Sequence, residues 1–168
     1  DCFLRDEGVR VLEFNTDGTA GWHYSAALNA IARARLGLSP EMLPLPHRLL
    51  TAILMLYGSW SGGKTARPSI AIVDWEDVGT RPEQEALAAL FRSAGCPCTL
   101  ADPRALRFES GRLMGPAGPV DLVYRRVVSE ELFARADEVR PFLNAYLASA
   151  ACFAGPFRSD PAWSKTLF

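Results

Sequence analysis

Apolar positions near the start of the chain fall in two short runs, residues 2–4 and 9–15. Arg5-Asp6-Glu7-Gly8 separates them, a charged turn closed by the residue type that takes positive φ without strain. The pattern predicts a hairpin whose second strand runs through Asn15. Thr16 to Gly21 is too polar and glycine-rich for regular structure. Beyond it Tyr24, Ala27, Leu28 and Ile31 recur at helical spacing, which predicts a helix over 22–36 that Gly37 ends. Ser39-Pro40 and Pro44-Leu45-Pro46 read as a linker. Residues 47–57 read as a second helix, apolar nearly all round and therefore buried.

The pattern changes at Pro68. Residues 69–73 form a short β-rich run, followed by turn residues at Asp77-Val78-Gly79. Thr80 with Glu83 has the spacing of a capping box, Pro82 suits a first turn, and Leu87, Leu90, Phe91 and Ala94 mark the buried stripe of a helix that Gly95 stops. Strands are predicted at 98–101 and 122–125, with a hairpin at 106–109 and 112–114 around Ser110-Gly111. Two helical stretches follow, at 129–136 and 139–148. Strand, helix, strand, strand is the order of a small Rossmann-like α/β unit with a parallel sheet. Three segments are expected: 1–67, a hairpin and helices; 68–155, the α/β unit; and 156–168. In the last, Asp160 followed by Pro161 predicts a helix start. A first residue Asp1 and a helix barely begun at the other end read as a piece of a longer polypeptide.

Composition narrows the function classes. The chain has 168 residues, 49% of them hydrophobic and 22% charged, the balance of a packed globular protein. With 18 basic against 19 acidic residues the net charge is -1, so no bulk field draws the chain to nucleic acid or anionic membrane. The longest apolar run, residues 49–57, is far short of the roughly 20 residues of a membrane span. Four cysteines are too few for a disulfide scaffold, and a reducing cytoplasm is the expected compartment.

Several residues have chemistry to offer. Glu13 and Asn15 are two apart on the predicted second strand, hence on one face, and Asp1 belongs to the paired strand. Converging, they would supply the hard oxygen ligands that Mg²⁺ prefers when it also holds nucleotide phosphates. The plainer reading is a solvated hairpin face. Gly58 to Thr65 matches G-x-x-x-x-G-K-T, but a working phosphate loop needs a strand before it and a helix starting at Lys64-Thr65. Pro68 and the strand pattern at 70–73 argue instead for a decoy. Arg125 and Arg126 end a strand, where ligands of open α/β sheets bind, and are candidates to hold a substrate carboxylate or phosphate; their alternative is a solvated strand end. Cys96 and Cys98 lack a second pair or a nearby His, and His23 and His47 are isolated, so these four are expected to be structural or surface groups.

Leu12-Glu13-Phe14-Asn15-Thr16-Asp17-Gly18, with Asp1 twelve positions before Glu13, resembles the metal-binding strand of circularly permuted ATP-grasp proteins, the group that includes glutathionylspermidine synthetase. Residues 70–74, 121–126, 157–159 and 164–165 resemble successive landmarks of the same group, so the likeness covers nearly the whole chain. It implies a pre-ATP-grasp-like α/β unit beside a hairpin and helices of a permuted ATP-grasp domain. It also implies Mg²⁺ on Asp1, Glu13 and Asn15, and ATP phosphates on Lys165. The implied activity is ATP-dependent ligation of a small-molecule carboxylate to an amine through an acyl phosphate, with the remaining ATP-grasp lobe elsewhere in the same polypeptide. Gly18-Thr19-Ala20-Gly21 departs from the Thr-Pro-Thr-Ser type of segment in glutathionylspermidine synthetases, so neither glutathione nor spermidine is implied. A chain stopping just past Lys165 is expected to be catalytically incomplete. Two other readings stay open: a non-catalytic α/β binding or assembly module, and, more weakly, a P-loop nucleotide-hydrolysing protein.

Overall fold

The computed structural model describes residues 2–40, 43–63 and 67–163, apart from the side chains of Asp160 and Trp163. The charged turn at Asp6-Glu7 joins β1 (Cys2–Arg5) to β2 (Gly8–Val11) as an antiparallel hairpin, with Cys2 opposite Val11 and Arg5 opposite Gly8. Every residue of both strands is exposed. The second strand stops at Val11 and does not reach Asn15. Thr16, Asp17 and Thr19 are hydrogen-bonded to the rest of the molecule, and this turns the chain off the hairpin axis. Glu13 and Asn15 therefore lie in coil and do not share a strand face.

Helix α1 (Trp22–Arg35) forms as the periodicity predicts, yet none of its residues is buried, and Tyr24, Leu28 and Ile31 face solvent. Helix α2 (Leu45–Trp60) is longer than predicted at both ends: Pro46 occupies its first turn, and it continues through Gly58. Leu49, Leu50, Ile53 and Tyr57 are buried, but Met55, Leu56 and Trp60 are exposed, so the helix is buried along one face and not all round as expected.

The rest is built on β3 (Ile70–Val73), buried at every position. After α3 (Arg81–Ser93) the chain forms β4 (Cys98–Ala101), parallel to β3 with Ile70 opposite Cys98. A 3-10 turn at Pro103–Ala105 leads to the antiparallel strands β5 (Arg107–Glu109), β6 (Arg112–Gly115) and β7 (Gly118–Pro119). The chain then returns to the other side of β3 as β8 (Leu122–Arg125), with Ile70 opposite Leu122. Helices α4 (Ser129–Ala134) and α5 (Arg140–Leu147) precede β9 (Cys152–Ala154), parallel to β8, and a 3-10 turn spans Phe157–Trp163. The last element corrects the expected helix start at Asp160, since Pro161 lies inside a turn that has already begun at Phe157.

The fold is thus mixed α/β, with a parallel sheet in the order β4-β3-β8-β9 and a small antiparallel sheet beside it. Alternating residues of the parallel strands point into two apolar layers, as strand geometry requires. Ile70, Ile72, Leu122 and Tyr124 pack with Leu87 and Phe91 of α3 and with Leu50 and Ile53 of α2. Ala71, Val73 and Val123 pack with Leu132 and Phe142 on the opposite side. By packing, α2 covers one face of the parallel sheet beside α3. Among the described residues no helix is long and apolar enough to cross a membrane.

Candidate functional site

From β3 the chain goes to one side for β4 and to the other for β8, so the ends of β3 and β8 flank the place where the connections diverge. In open parallel sheets that divergence opens a crevice beyond the carboxyl ends of the strands. Here Asp74 follows β3, Arg125 ends β8 and Arg126 comes next. Backbone bonds from the Arg126 and Val127 N–H groups to the Val73 carbonyl, 2.9 and 3.1 Å, draw the two strand ends together.

Arg126 donates to the Glu83 carboxylate at 3.2 Å, and both side chains are fully buried. Glu83 lies in the first turn of α3, but its oxygens serve another helix: they accept from the Gly21 N–H at 3.1 Å and the His23 N–H at 3.0 Å. Gly21 is the N-cap of α1, in the left-handed region at φ 88°, and has no side chain to cap with. The expected capping box is therefore absent. Thr80 instead accepts from the Gln84 amide at 3.2 Å. Tyr124 donates to the Thr19 carbonyl at 3.0 Å and accepts from the Trp22 indole at 2.7 Å; burial pushes its phenol up to about 12. Asp74 accepts from Gln84 at 2.6 Å and from the Trp75 N–H at 3.0 Å. Burial nevertheless holds its carboxyl above the usual range, against the pull of those bonds and of Arg126.

Arg125 makes a close ion pair with Asp17. Its guanidinium also donates to the Gly155 carbonyl at 2.6 Å, the Val127 carbonyl at 2.9 Å and the Ser129 hydroxyl at 3.1 Å, and it stacks over the Phe157 ring at 4.7 Å. Asp17 accepts further bonds from the Ser129 N–H at 2.9 Å and from its hydroxyl at 3.1 Å. Gly18 has φ 59°, and a Cβ there would lie 2.7 Å from both the Arg126 carbonyl oxygen and a Val128 methyl, so only glycine fits. Thr16 donates to the Ser159 carbonyl at 2.9 Å, and the Ser159 hydroxyl donates to the Pro156 carbonyl at 2.6 Å while lying 3.3 Å from the Thr16 carbonyl. The Thr19 hydroxyl closes a turn on the Asn15 carbonyl at 3.1 Å. The crevice is thus filled by the chain's own segment 16–22.

Of the sequence-predicted residues, the structure brings Arg125 and Arg126 to the expected strand end but spends both on internal carboxylates. Both are buried, so neither is a solvated strand end. Glu13 is half-buried and Asn15 exposed, on the coil that leads into the crevice. Asp1 and Lys165 lie outside the described residues. So do Lys64 and Thr65, but a helix rather than a strand runs into Gly58, and the end of α2 presents carbonyls rather than the N–H groups a phosphate needs. Cys96, Cys98 and Cys152 are buried free thiols, with Cys98 pushed by burial up to about 12, and His23 and His47 are exposed. Among the described residues no group of three or more His, Cys, Asp or Glu is placed to hold a metal.

Sequence reasoning missed Glu83, Asp74, Tyr124 and the anchoring role of Asp17. Each acts across 60 or more positions or within a tertiary crevice, so periodicity gives no signal; only the Asp17-Gly18 pair in a loop hinted at a constrained turn. No protein-family model matches this chain, and no curated protein matches it.

Proposed function

We propose that the chain is part of an ATP- and Mg²⁺-dependent carboxylate–amine ligase of the circularly permuted ATP-grasp type, with Asp1, Glu13 and Asn15 as Mg²⁺ ligands and Lys165 on the ATP phosphates. The observation that carries the reading is the hydrogen bond from the Thr16 hydroxyl to the Ser159 carbonyl at 2.9 Å, between residues 143 positions apart. It ties the segment bearing Glu13 and Asn15 to the turn Phe157–Trp163, which precedes Lys165 in the sequence, and so supports a nucleotide shared between them. The donor chemistry fits: a half-buried carboxylate and an exposed amide oxygen are hard ligands bordering solvent. When bound, the metal would offset charge developing on the transferred phosphoryl group. Glu13 and Asn15 would orient it from one side, and the Lys165 ammonium would hold the phosphates from the other.

Calorimetric titration of the full-length polypeptide with Mg-ATP tests this. Wild type is expected to bind, and Glu13→Ala and Lys165→Ala are each expected to lower nucleotide-dependent turnover by about a hundredfold or more while the fold stays intact. No binding, or both variants unchanged, would overturn the proposal. One observation favours the rival reading of a non-catalytic module: Arg125 and Arg126, the cations best placed for a ligand, are consumed by Asp17 and Glu83.

A further inference from the structure

The residue between the proposed metal ligands and the α/β unit is Asp17, and we infer that it is a positioning residue: it fixes the Glu13–Asn15 segment by anchoring it to Arg125 and Ser129. The inference deepens the ligase reading and rests on it where the metal is concerned. Its geometric part stands on contacts alone. Asp17 follows Asn15 by two positions, and a chain advances at most about 3.6 Å per residue, so fixing Asp17 confines the Asn15 backbone to a small volume. The flanking residues confine it further from three directions. Thr16 is held by Ser159, the Thr19 hydroxyl holds the Asn15 carbonyl, and the backbone at Gly18 lies where no Cβ is tolerated.

A buried ion pair is a poor way to gain stability, because desolvation offsets most of the attraction. What it supplies is a defined geometry, and here the geometry is that of the coil carrying Glu13 and Asn15. Arg125 is accordingly the counter-anchor rather than a substrate clamp. Its guanidinium is fully buried and already engages Asp17, the Val127 and Gly155 carbonyls, Ser129 and the Phe157 ring.

The test uses the full-length polypeptide with Asp17→Asn and with the double variant Asp17→Asn/Arg125→Met. The single variant leaves a buried guanidinium without its counter-charge and is expected to lose stability. The double variant removes both charges and is expected to regain much of the loss. Two readouts separate positioning from stability in the double variant. Backbone hydrogen exchange over residues 12–16 is expected to quicken about tenfold, and the Mg²⁺ concentration for half-maximal ATP binding is expected to rise about tenfold with metal-free ATP affinity unchanged, the size of effect seen when groups orienting metal ligands are removed. Wild-type exchange and a wild-type Mg²⁺ midpoint in the re-stabilised double variant would overturn the inference. If the wild type binds no Mg-ATP, the ligase reading falls, and the exchange measurement decides the anchoring by itself, with unchanged exchange overturning it.

Discussion

Asp74 illustrates how a single side chain records its place in the crevice. Its carboxyl sits at the end of a fully buried strand, and desolvation raises its pKa above the ordinary 3.8 in spite of bonds from Trp75 and Gln84 and the nearby Arg126. Because the folded state holds this proton more tightly than the unfolded chain, the contribution of Asp74 to stability is greatest below about pH 3.8. It is lost as pH rises through the elevated folded value. Asp74→Asn keeps the acceptor for the Trp75 N–H and removes the titration; the Gln84 amide can turn to receive the new amide donor. In denaturant unfolding at pH 4 and pH 7, the stability of the variant relative to wild type is expected to be higher at pH 7. A difference that stays constant between the two would show that the fold does not raise the pKa of Asp74. Asp102 carries the opposite sign: although burial opposes it, hydrogen bonds from the Arg104 side chain and backbone lower its carboxyl, so its contribution is lost as pH falls.

Elements are joined here by a cap borrowed from elsewhere. Helix α1 begins on a glycine, and the acceptor for its free N–H groups is Glu83 of α3, about 60 positions away. The spacing of Thr80 and Glu83 reads locally as a capping box. The local bond loses because Glu83 satisfies two helix N–H groups and a buried guanidinium at once, a stronger set of charge-assisted contacts than one N-cap amide. Glu83→Gln should therefore cost about 3–5 kcal/mol in denaturant unfolding, the scale for stranding one member of a buried pair. Adding Arg126→Met should recover much of it. A cost under about 1 kcal/mol for the single variant would mean that Arg126 finds another counter-charge. The same contrast explains which elements were legible. Ile70–Val73, Leu122–Arg125 and the helix over Arg81–Ser93 announce themselves by continuous apolar runs or a clear stripe. The strand Cys152–Ala154 is three residues long and flanked by small residues, and only its pairing with β8 makes it a strand.

At the scale of the molecule the sequence order of hairpin, helices and α/β unit is legible, because parallel strands buried on both faces leave a strong hydrophobic signature. The crevice was not, since what fills it comes from coil residues chosen for hydrogen bonding rather than periodicity. Burial is also uneven. The parallel sheet and α2 share two apolar layers, whereas Phe3, Leu4 and Val9 of the hairpin and Leu28 and Ile31 of α1 are exposed. A two-stranded hairpin with no buried residue is marginal in water; the chain that follows it is latched at Thr16 and Asp17, and the start of α1 at Glu83. Local opening should follow this gradient. In native-state hydrogen exchange, amides of β1, β2 and α1 are expected to exchange faster than those of β3 and β8 by about a hundredfold or more. The measurement should be repeated over a range of protein concentrations. Protection of the hairpin that grows with concentration would identify a second copy as the cover for its exposed apolar residues. Protection equal to that of β3 and independent of concentration would show instead that the latches alone make hairpin and α/β unit one cooperative body, and the gradient argued from burial would be wrong.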